Sequence, residues 1–160
     1  SNRPRRRYAR SSTKLAMPKP EAFVDSSVLI AALLSSRGGS FYVLSQLREK
    51  VTFQINEYVF DEVRGILGSK FRDNPELFSR LFLLLGLADV ATLPNPDKKS
   101  VRRAAKVVAR NDAPILASAL NHSNYLVTLD NGFFQSGVLA TAKKKGLIIA
   151  KPKDIIEIFR

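Results

Sequence analysis

The chain has 160 residues, with no cysteine, a single histidine (His122), and 26 Lys and Arg against 14 Asp and Glu, which gives a formal net charge of +12. This composition excludes disulfides, thiolate zinc sites and a cysteine nucleophile, so any chemistry must rest on carboxylates, hydroxyls, lysines or a hard metal ion. The positive charge favours nucleic acid as a partner ahead of anionic membrane surfaces, and the lack of cysteine fits a reducing, cytoplasmic location.

Residues 1–20 form a basic segment with seven basic side chains and no acid. They are either a disordered basic arm or a segment added for expression, because the only methionine is Met17. Residues 21–160 have the length of one domain, and no run among them approaches the roughly 20 consecutive apolar residues of a membrane-spanning helix. We therefore expect one domain and no membrane span.

The first regular element of that domain ends on an acid. The run Ala22 to Val24 predicts a buried strand, and the apolar spacing from Val28 to Leu33 predicts a helix directly after it. Asp25 stands between the two, where it would either cap the helix or project from the carboxyl end of a parallel sheet, the usual place for a ligand site.

A second candidate acid lies on a helix face. We predict a helix from Ser40, which would act as its cap, a strand over 51–55, and a helix from Glu57 to Leu67 that ends at Gly68. In the last helix Glu62 lies along the apolar stripe, whereas its neighbour Asp61 faces Arg64 as ordinary surface charge. Glu62 is therefore either an edge carboxylate that reaches solvent or a residue with a partner at a site.

The next stretch is rich in basic residues. Asn74 and Pro75 predict the start of a helix through residue 87, and a short strand follows within 88–93. Asp97 or Ser100 would then begin a basic helix that runs through Arg110. Its charges predict either a solvated face or a surface that contacts phosphates; they belong to Lys98, Lys99, Arg102, Arg103, Lys106 and Arg110.

The last third repeats the pattern of an acid after a strand. Asp112 is placed to cap a helix whose first turn tolerates Pro114, and the strand that begins at residue 124 ends on Asp130. A helix closed by Gly146, a strand and a terminal helix follow. Alternating strands and helices predict an α/β fold, a three-layer α/β/α sandwich around a mainly parallel sheet.

We therefore predict that four acids lie together at one end of the sheet, namely Asp25, Glu62, Asp112 and Asp130. Carboxylates brought together repel one another unless a cation neutralises them, and oxygen-only ligands favour Mg²⁺ or Mn²⁺. Two such ions can clamp a phosphodiester and activate water for its hydrolysis.

The chain resembles the PIN-domain family of metal-dependent ribonucleases. The segments that carry the resemblance are FVDSSVLIAALL, VFDEVRGIL, NDAPILASALNHSNYLVTLDNGFF and LIIAKPKDIIEIF, and together they cover residues 21–160. The resemblance implies RNA as substrate, with Asp25, Asp112 and Asp130 as metal ligands and Glu62 as a ligand or a water-orienting base. Many small, free-standing members act as toxins held inactive by an antitoxin, so it also implies an antitoxin partner.

Two positions depart from the family pattern. Ser27 stands where the family often has Asn, and Gly132 replaces an acid that is frequent two residues after the last aspartate. Ser26, Ser27 and Thr128 are candidate hydroxyl supports for a ligand, or ordinary turn and strand hydroxyls.

The residues leave other functions open. One alternative is an RNA-binding or RNA-processing module with a weakened or inactive metal site. An aspartyl-phosphate phosphotransferase would need an acid where Ser27 stands, and a dinucleotide-binding protein would need a glycine-rich loop after the first strand. Residues 81–87 are apolar enough for a homodimer contact or for the core.

Overall fold

The computed structural model describes residues 18–160; residues 1–17, most of the predicted basic arm, lie outside the described residues. Five strands form one sheet in the order β3-β2-β1-β4-β5, and every neighbouring pair is parallel. The predicted parallel sheet is confirmed. The strands are β1 (Glu21–Val24), β2 (Thr52–Ile55), β3 (Ala91–Thr92), β4 (Tyr125–Val127) and β5 (Ile148–Ala150).

Helices connect the strands, as the alternation of the sequence predicted, and complete an α/β/α sandwich. The helices are α1 (Ser26–Leu34), α2 (Gly39–Gln46), α3 (Glu57–Ser69), α4 (Glu76–Leu87), α5 (Lys98–Ala104), α6 (Ala113–His122), α7 (Ser136–Lys144) and α8 (Pro152–Phe159). Helices α1, α2 and α4 contact one another, α5 contacts α6, and α6 contacts β1 and β4. A short 3₁₀ helix, Asn131–Phe134, follows β4.

In the described part of the chain, no single helix is long and apolar enough to cross a membrane. Helices α1 and α2 reach that length and composition only as a pair, and the chain bends by 99° between them.

The core explains why β1 is the centre of the sheet. Ala22, Phe23 and Val24 are fully buried, as are Leu126 and Val127 of β4. A parallel strand covered by helices on both faces is expected to be apolar, and the buried positions of these two strands meet that expectation. Replacing Phe23 by alanine would cost roughly 3–5 kcal/mol of stability, the usual range for a buried phenylalanine.

The strand order creates a switch point beside β1. From β1 the chain adds β2 and β3 on one side, and it then returns to add β4 and β5 on the other. The crevice at the carboxyl ends of β1 and β4 is therefore where ligands bind in open parallel sheets. Val24 pairs with Val127 across these strands, so Asp25 emerges level with Thr128.

Three predicted helix boundaries are wrong. Helix α2 begins at Gly39 with Gly38 as its cap, and Ser40 lies buried in its first turn. Helix α3 runs through Gly68 to Ser69, whose hydroxyl donates to the carbonyl of residue 65 at 2.8 Å and holds the last turn.

The third error concerns the basic helix. It begins with Asp97 as predicted, since Asp97 Oδ1 accepts from Ser100 N at 2.6 Å, but it ends at Ala104. Turns follow, so both Lys106 and Arg110 lie outside it. The prediction that Gly146 closes a helix is confirmed, because Gly146 has a φ of +74°, which glycine adopts without the strain of a side chain.

Candidate active site

Asp25 occupies the cap position of α1 without acting as a side-chain cap. Its backbone N–H donates to the carbonyl of Val127 at 3.0 Å, which fixes it at the end of β1 beside β4. Its Oδ2 accepts one hydrogen bond from Ser27 Oγ at 2.8 Å and another from Thr128 Oγ1 at 2.7 Å. The two hydroxyls thus support the Asp25 carboxylate.

The Asp25 side chain is only 4% exposed. Burial raises the pKa of this carboxyl above its usual value, because the charged form loses solvation, and nearby Asp130 raises it further. The bonds from Thr128, Ser27 and the Ser26 backbone oppose the rise, since they favour the ionised form. The chain therefore buries an acid at the switch point and surrounds it with donors that favour its anionic form.

Glu62 reaches the same region from α3, where it accepts a hydrogen bond from the hydroxyl of Ser26 in α1. Its neighbour Asp61 lies 3.9 Å from Arg64 in an exposed ion pair, as predicted. Glu62 is partly buried, and its side chain lines a surface cleft.

The position of Glu62 depends on Asn56, which was not among the residues predicted from the sequence. Asn56 is fully buried and caps α3 by accepting from Val59 N at 3.1 Å. Its amide donates to Ser118 Oγ at 2.8 Å and to the carbonyl of Pro114 at 3.2 Å, both in α6. This side chain ties the start of α3 to the start of α6, and so sets where Glu62 and the acid before α6 lie. An asparagine directly before a helical run was the available signal.

Asp112 lies at the start of α6, and its side chain makes no capping hydrogen bond. Burial together with the negative charges of Asp130, Asp25 and Glu62 raises the pKa of Asp112 to about 6. Because each of the other three acids contributes, the four carboxylates lie close enough to repel one another.

Asp130 is exposed and follows β4 by three residues. Its backbone N–H donates to Thr128 Oγ1 at 3.0 Å, and its Oδ1 accepts from Gly132 N at 2.9 Å. A Cβ on Gly132 would lie 3.2 Å from Asp130 Oδ1 and 3.9 Å from Asp112 Oδ2. The two carboxylates therefore flank the position where the family pattern often has a further acid.

The four acids line one cleft of about 570 Å³. The same cleft contains Lys70 and Asn111, which were not predicted; Asn111 adjoins a candidate acid, but nothing in the local pattern marks Lys70. His122 is exposed at the end of α6, away from this cleft. A cavity of similar size, about 590 Å³, lies between α1, α2 and α4, but its lining is mainly apolar and holds no acid.

Within residues 18–160 no three His, Asp or Glu side chains are arranged as a closed metal site. The acids share a cleft and repel one another, so like charges that converge without a cation are expected to stand apart. The oxygen-only donor set and the mutual repulsion fit a hard divalent cation, although the coordination shell is open.

The sequence profile described as the PIN domain matches residues 22–139, a span that includes all four acids. The chain belongs to the PIN domain family. Membership indicates nuclease activity of the hydrolase type, in a family that generally depends on divalent metal ions. A search of curated proteins found no match to this PIN domain.

Solved structures share the fold of this PIN domain at low sequence identity. PAE2754 from Pyrobaculum aerophilum has a TM-score of 0.61 and 22% identity, over 88% of this chain and 89% of that one. VapBC2 from Rickettsia felis, bound to a DNA fragment from its promoter, gives 0.58 and 17%, over 82% and 98%. FitAcB from Neisseria gonorrhoeae gives 0.53 and 19%, over 82% and 98%.

Proposed function

We propose that the chain is a metal-dependent endoribonuclease in which Asp25, Asp112 and Asp130 bind Mg²⁺ or Mn²⁺, and Glu62 is a further ligand or the base that orients water. The observation that carries the proposal is the gathering of four carboxylates in one cleft, with the pKa of Asp112 raised to about 6 by burial and the other three. Outside a metal site, such repulsion would destabilise the fold without a purpose.

When bound, a divalent ion would offset the charges of the acids and of the phosphodiester, and would supply the Lewis acidity that activates water. The chain contributes oriented ligands. Ser27 and Thr128 fix the Asp25 carboxylate through Oδ2, and Ser26 fixes Glu62 at Oε1. These hydroxyls act in the manner of the outer partners that orient metal ligands in known sites.

RNA as the substrate is supported by charge. The chain has a net charge of +12, yet its cleft is acidic, so phosphates on either side of the scissile bond need cations. Lys70 provides one within the cleft. We also propose that residues 1–20 serve as a basic arm on a nuclease domain formed by residues 21–160, and that the arm contacts RNA outside the cleft.

The toxin role, with an antitoxin protein as partner, rests on the resemblance to free-standing family members and on the likeness of the fold to VapBC2 and FitAcB. A homodimer is supported by α4. Within residues 81–87, Leu81 and Leu84 are buried in the core, whereas Phe82 is 60% exposed and Leu83 is 72% exposed. Core packing therefore does not account for the whole apolar run.

A second candidate is an RNA-binding or RNA-processing module with a weakened metal site. It is favoured by Gly132, which leaves the space beside Asp112 and Asp130 without the further acid. Both functions use the same cleft, and they differ in whether it hydrolyses RNA.

The deciding experiment is a cleavage assay on single-stranded and structured RNA with Mg²⁺, Mn²⁺ or EDTA. We expect cleavage with either metal and none in EDTA. Asp25→Asn keeps the shape of the side chain and should abolish most of the activity, whereas the matched control Asp61→Asn, exposed on α3 outside the cleft, should cleave as wild type. Equal cleavage by wild type and Asp25→Asn would refute the proposal, and metal-independent RNA binding without cleavage would favour the second candidate.

A further inference from the structure

A smaller cavity of about 340 Å³, here called the side pocket, adjoins the acidic cleft. Its walls come from the end of α1, the start of α2, the segment after β4 and the start of α8. Ala31 lines both the side pocket and the cleft. Leu129, another lining residue, stands between Thr128, which supports Asp25, and Asp130. The two cavities are thus neighbours on the surface over α1, with Ala31 as a shared wall.

The side pocket combines an apolar wall with two cationic side chains. Leu129 is 42% exposed and presents apolar surface beside the half-buried Ala31, whereas Pro152, which also lines the pocket, is buried. Lys151 and Lys153 stand at the rim, and neither forms a salt bridge within the described part of the chain.

The two lysines are available for a ligand. The Lys151 ammonium lies 5.5 Å from the centre of the Phe134 ring, a cation–π contact that orients the side chain without neutralising it. The nearby acid, Asp154, accepts instead from the backbone N–H of Lys151 at 3.3 Å. An anion at the rim would therefore meet two lysines that form no salt bridge with another described residue.

We propose that the side pocket binds the nucleotide next to the scissile phosphate, with its base against Leu129 and its phosphate at Lys151 and Lys153. This inference rests on the proposed nuclease function. It follows from charge, because an RNA strand that crosses four carboxylates needs cations beside them, and from continuity, because Ala31 joins the pocket to the cleft. The volume lies near the lower end of the roughly 300–1,000 Å³ typical of small-ligand sites, which suits a single nucleotide.

The test measures RNA binding apart from cleavage. The full chain is titrated in EDTA against a short, fluorescently labelled single-stranded RNA of mixed sequence, at several salt concentrations. We expect the double variant Lys151→Gln, Lys153→Gln to bind RNA about fivefold more weakly at 0.1 M salt. Its slope of log K against log salt should be shallower by about 0.7. Both values correspond to the loss of one neutralised phosphate on a single strand. Leu129→Ala should weaken binding and leave the slope unchanged, because it removes apolar surface and no charge.

The matched control is the double variant Lys143→Gln, Lys144→Gln, which also removes two exposed lysines, here at the end of α7 and outside the lining of the pocket. The control should bind RNA with the affinity of the wild type. All the variants should keep the wild-type melting temperature. Unchanged affinity in the double variant would overturn the proposal and assign the pocket to another occupant, such as a protein segment. An equal loss of affinity in Lys143→Gln, Lys144→Gln would also overturn it, since the effect would then reflect overall charge. The nuclease proposal is tested separately, by the cleavage assay: it fails if the wild type does not cleave RNA in Mn²⁺.

Discussion

Metal ions should stabilise this chain, and the effect should depend on Asp130. The proposed site predicts that Mn²⁺ or Mg²⁺ raises the melting temperature at fixed ionic strength, and that Asp25→Asn, Asp112→Asn and Asp130→Asn each lose most of that rise. Asp130 is the most informative of the three, because it is exposed and its substitution disturbs little packing. The alternative, in which Asp130 is only a turn residue bonded to Gly132 N, predicts no change in the response to metal.

The magnitude follows from linkage. An ion bound only by the folded state adds about RT ln(1 + [L]/Kd), or roughly 2.7 kcal/mol at a hundredfold excess over Kd. The unfolding entropy of a chain of 160 residues is about 0.3 kcal/mol per kelvin, so the melting temperature should rise by about 8 °C.

In the absence of metal, the same substitutions should raise the melting temperature above that of the wild type. The pKa of Asp112 is raised to about 6 by burial and by its three acidic neighbours. A full conversion of that shift would give about 3 kcal/mol of destabilisation at neutral pH, but solvent reaches this carboxyl and screens it, so about 1 kcal/mol is a fairer value. Asp112→Asn should then melt about 3 °C higher than wild type in EDTA, and Asp130→Asn should melt somewhat less than 3 °C higher.

The sign of the pH dependence can be checked independently. A folded pKa above the unfolded value of 3.8 means that the folded state holds the proton more tightly. The resulting stability is fully present below about pH 4 and is lost as the pH rises through about 6. Stabilisation by metal should grow over the same range, because protons and metal compete for Asp112.

Differential scanning fluorimetry measures all of these effects. The wild type and each variant are melted in EDTA and in Mn²⁺ from pH 4.5 to pH 7.5, a range of about three units that spans the titration expected for Asp112. Asp61→Asn is the control and should match wild type throughout, since its carboxylate pairs with Arg64 on the surface. An equal metal-induced shift in wild type and Asp130→Asn would remove Asp130 from the site. No metal response in wild type would refute the metal site as a whole.

Thr128→Val removes a fully buried hydroxyl that donates to Asp25, and should cost about 1–3 kcal/mol in urea unfolding, with Thr128→Ser restoring most of the stability. Gly132→Asp places a further carboxylate beside Asp130 and should lower the melting temperature in EDTA while enlarging the shift in Mn²⁺; a smaller shift would contradict this geometry. Deleting residues 1–16 should leave the melting temperature unchanged and reduce the salt slope of RNA binding by about 0.7 for each phosphate that the segment neutralises, whereas an unchanged slope would mean that the segment does not touch RNA.

The sequence by itself determined the order of the elements and the positions of the acids along them. Buried parallel strands and helices differ in the spacing of their apolar residues, so the local pattern predicts both kinds of element. Asp25 follows a predicted strand and Glu62 lies on the apolar face of a predicted helix, and this was enough to make them candidates. The sequence also determined the net charge and the absence of cysteine, which depend on composition alone. Helix ends were less certain, as Ser40 and Arg110 illustrate, because capping depends on which backbone groups the tertiary structure leaves open.

Only the tertiary structure decided which residues meet. Thr128 donates to Asp25 across more than a hundred residues because β4 pairs with β1, and that strand order has no local signature in the chain. Asn56 likewise joins α3 to α6, and Lys70 enters the cleft from the end of α3. A contact between distant segments forms when the free energy gained by packing the whole core exceeds the entropic cost of closing the chain between them. A local sequence pattern carries information only about neighbours along the chain.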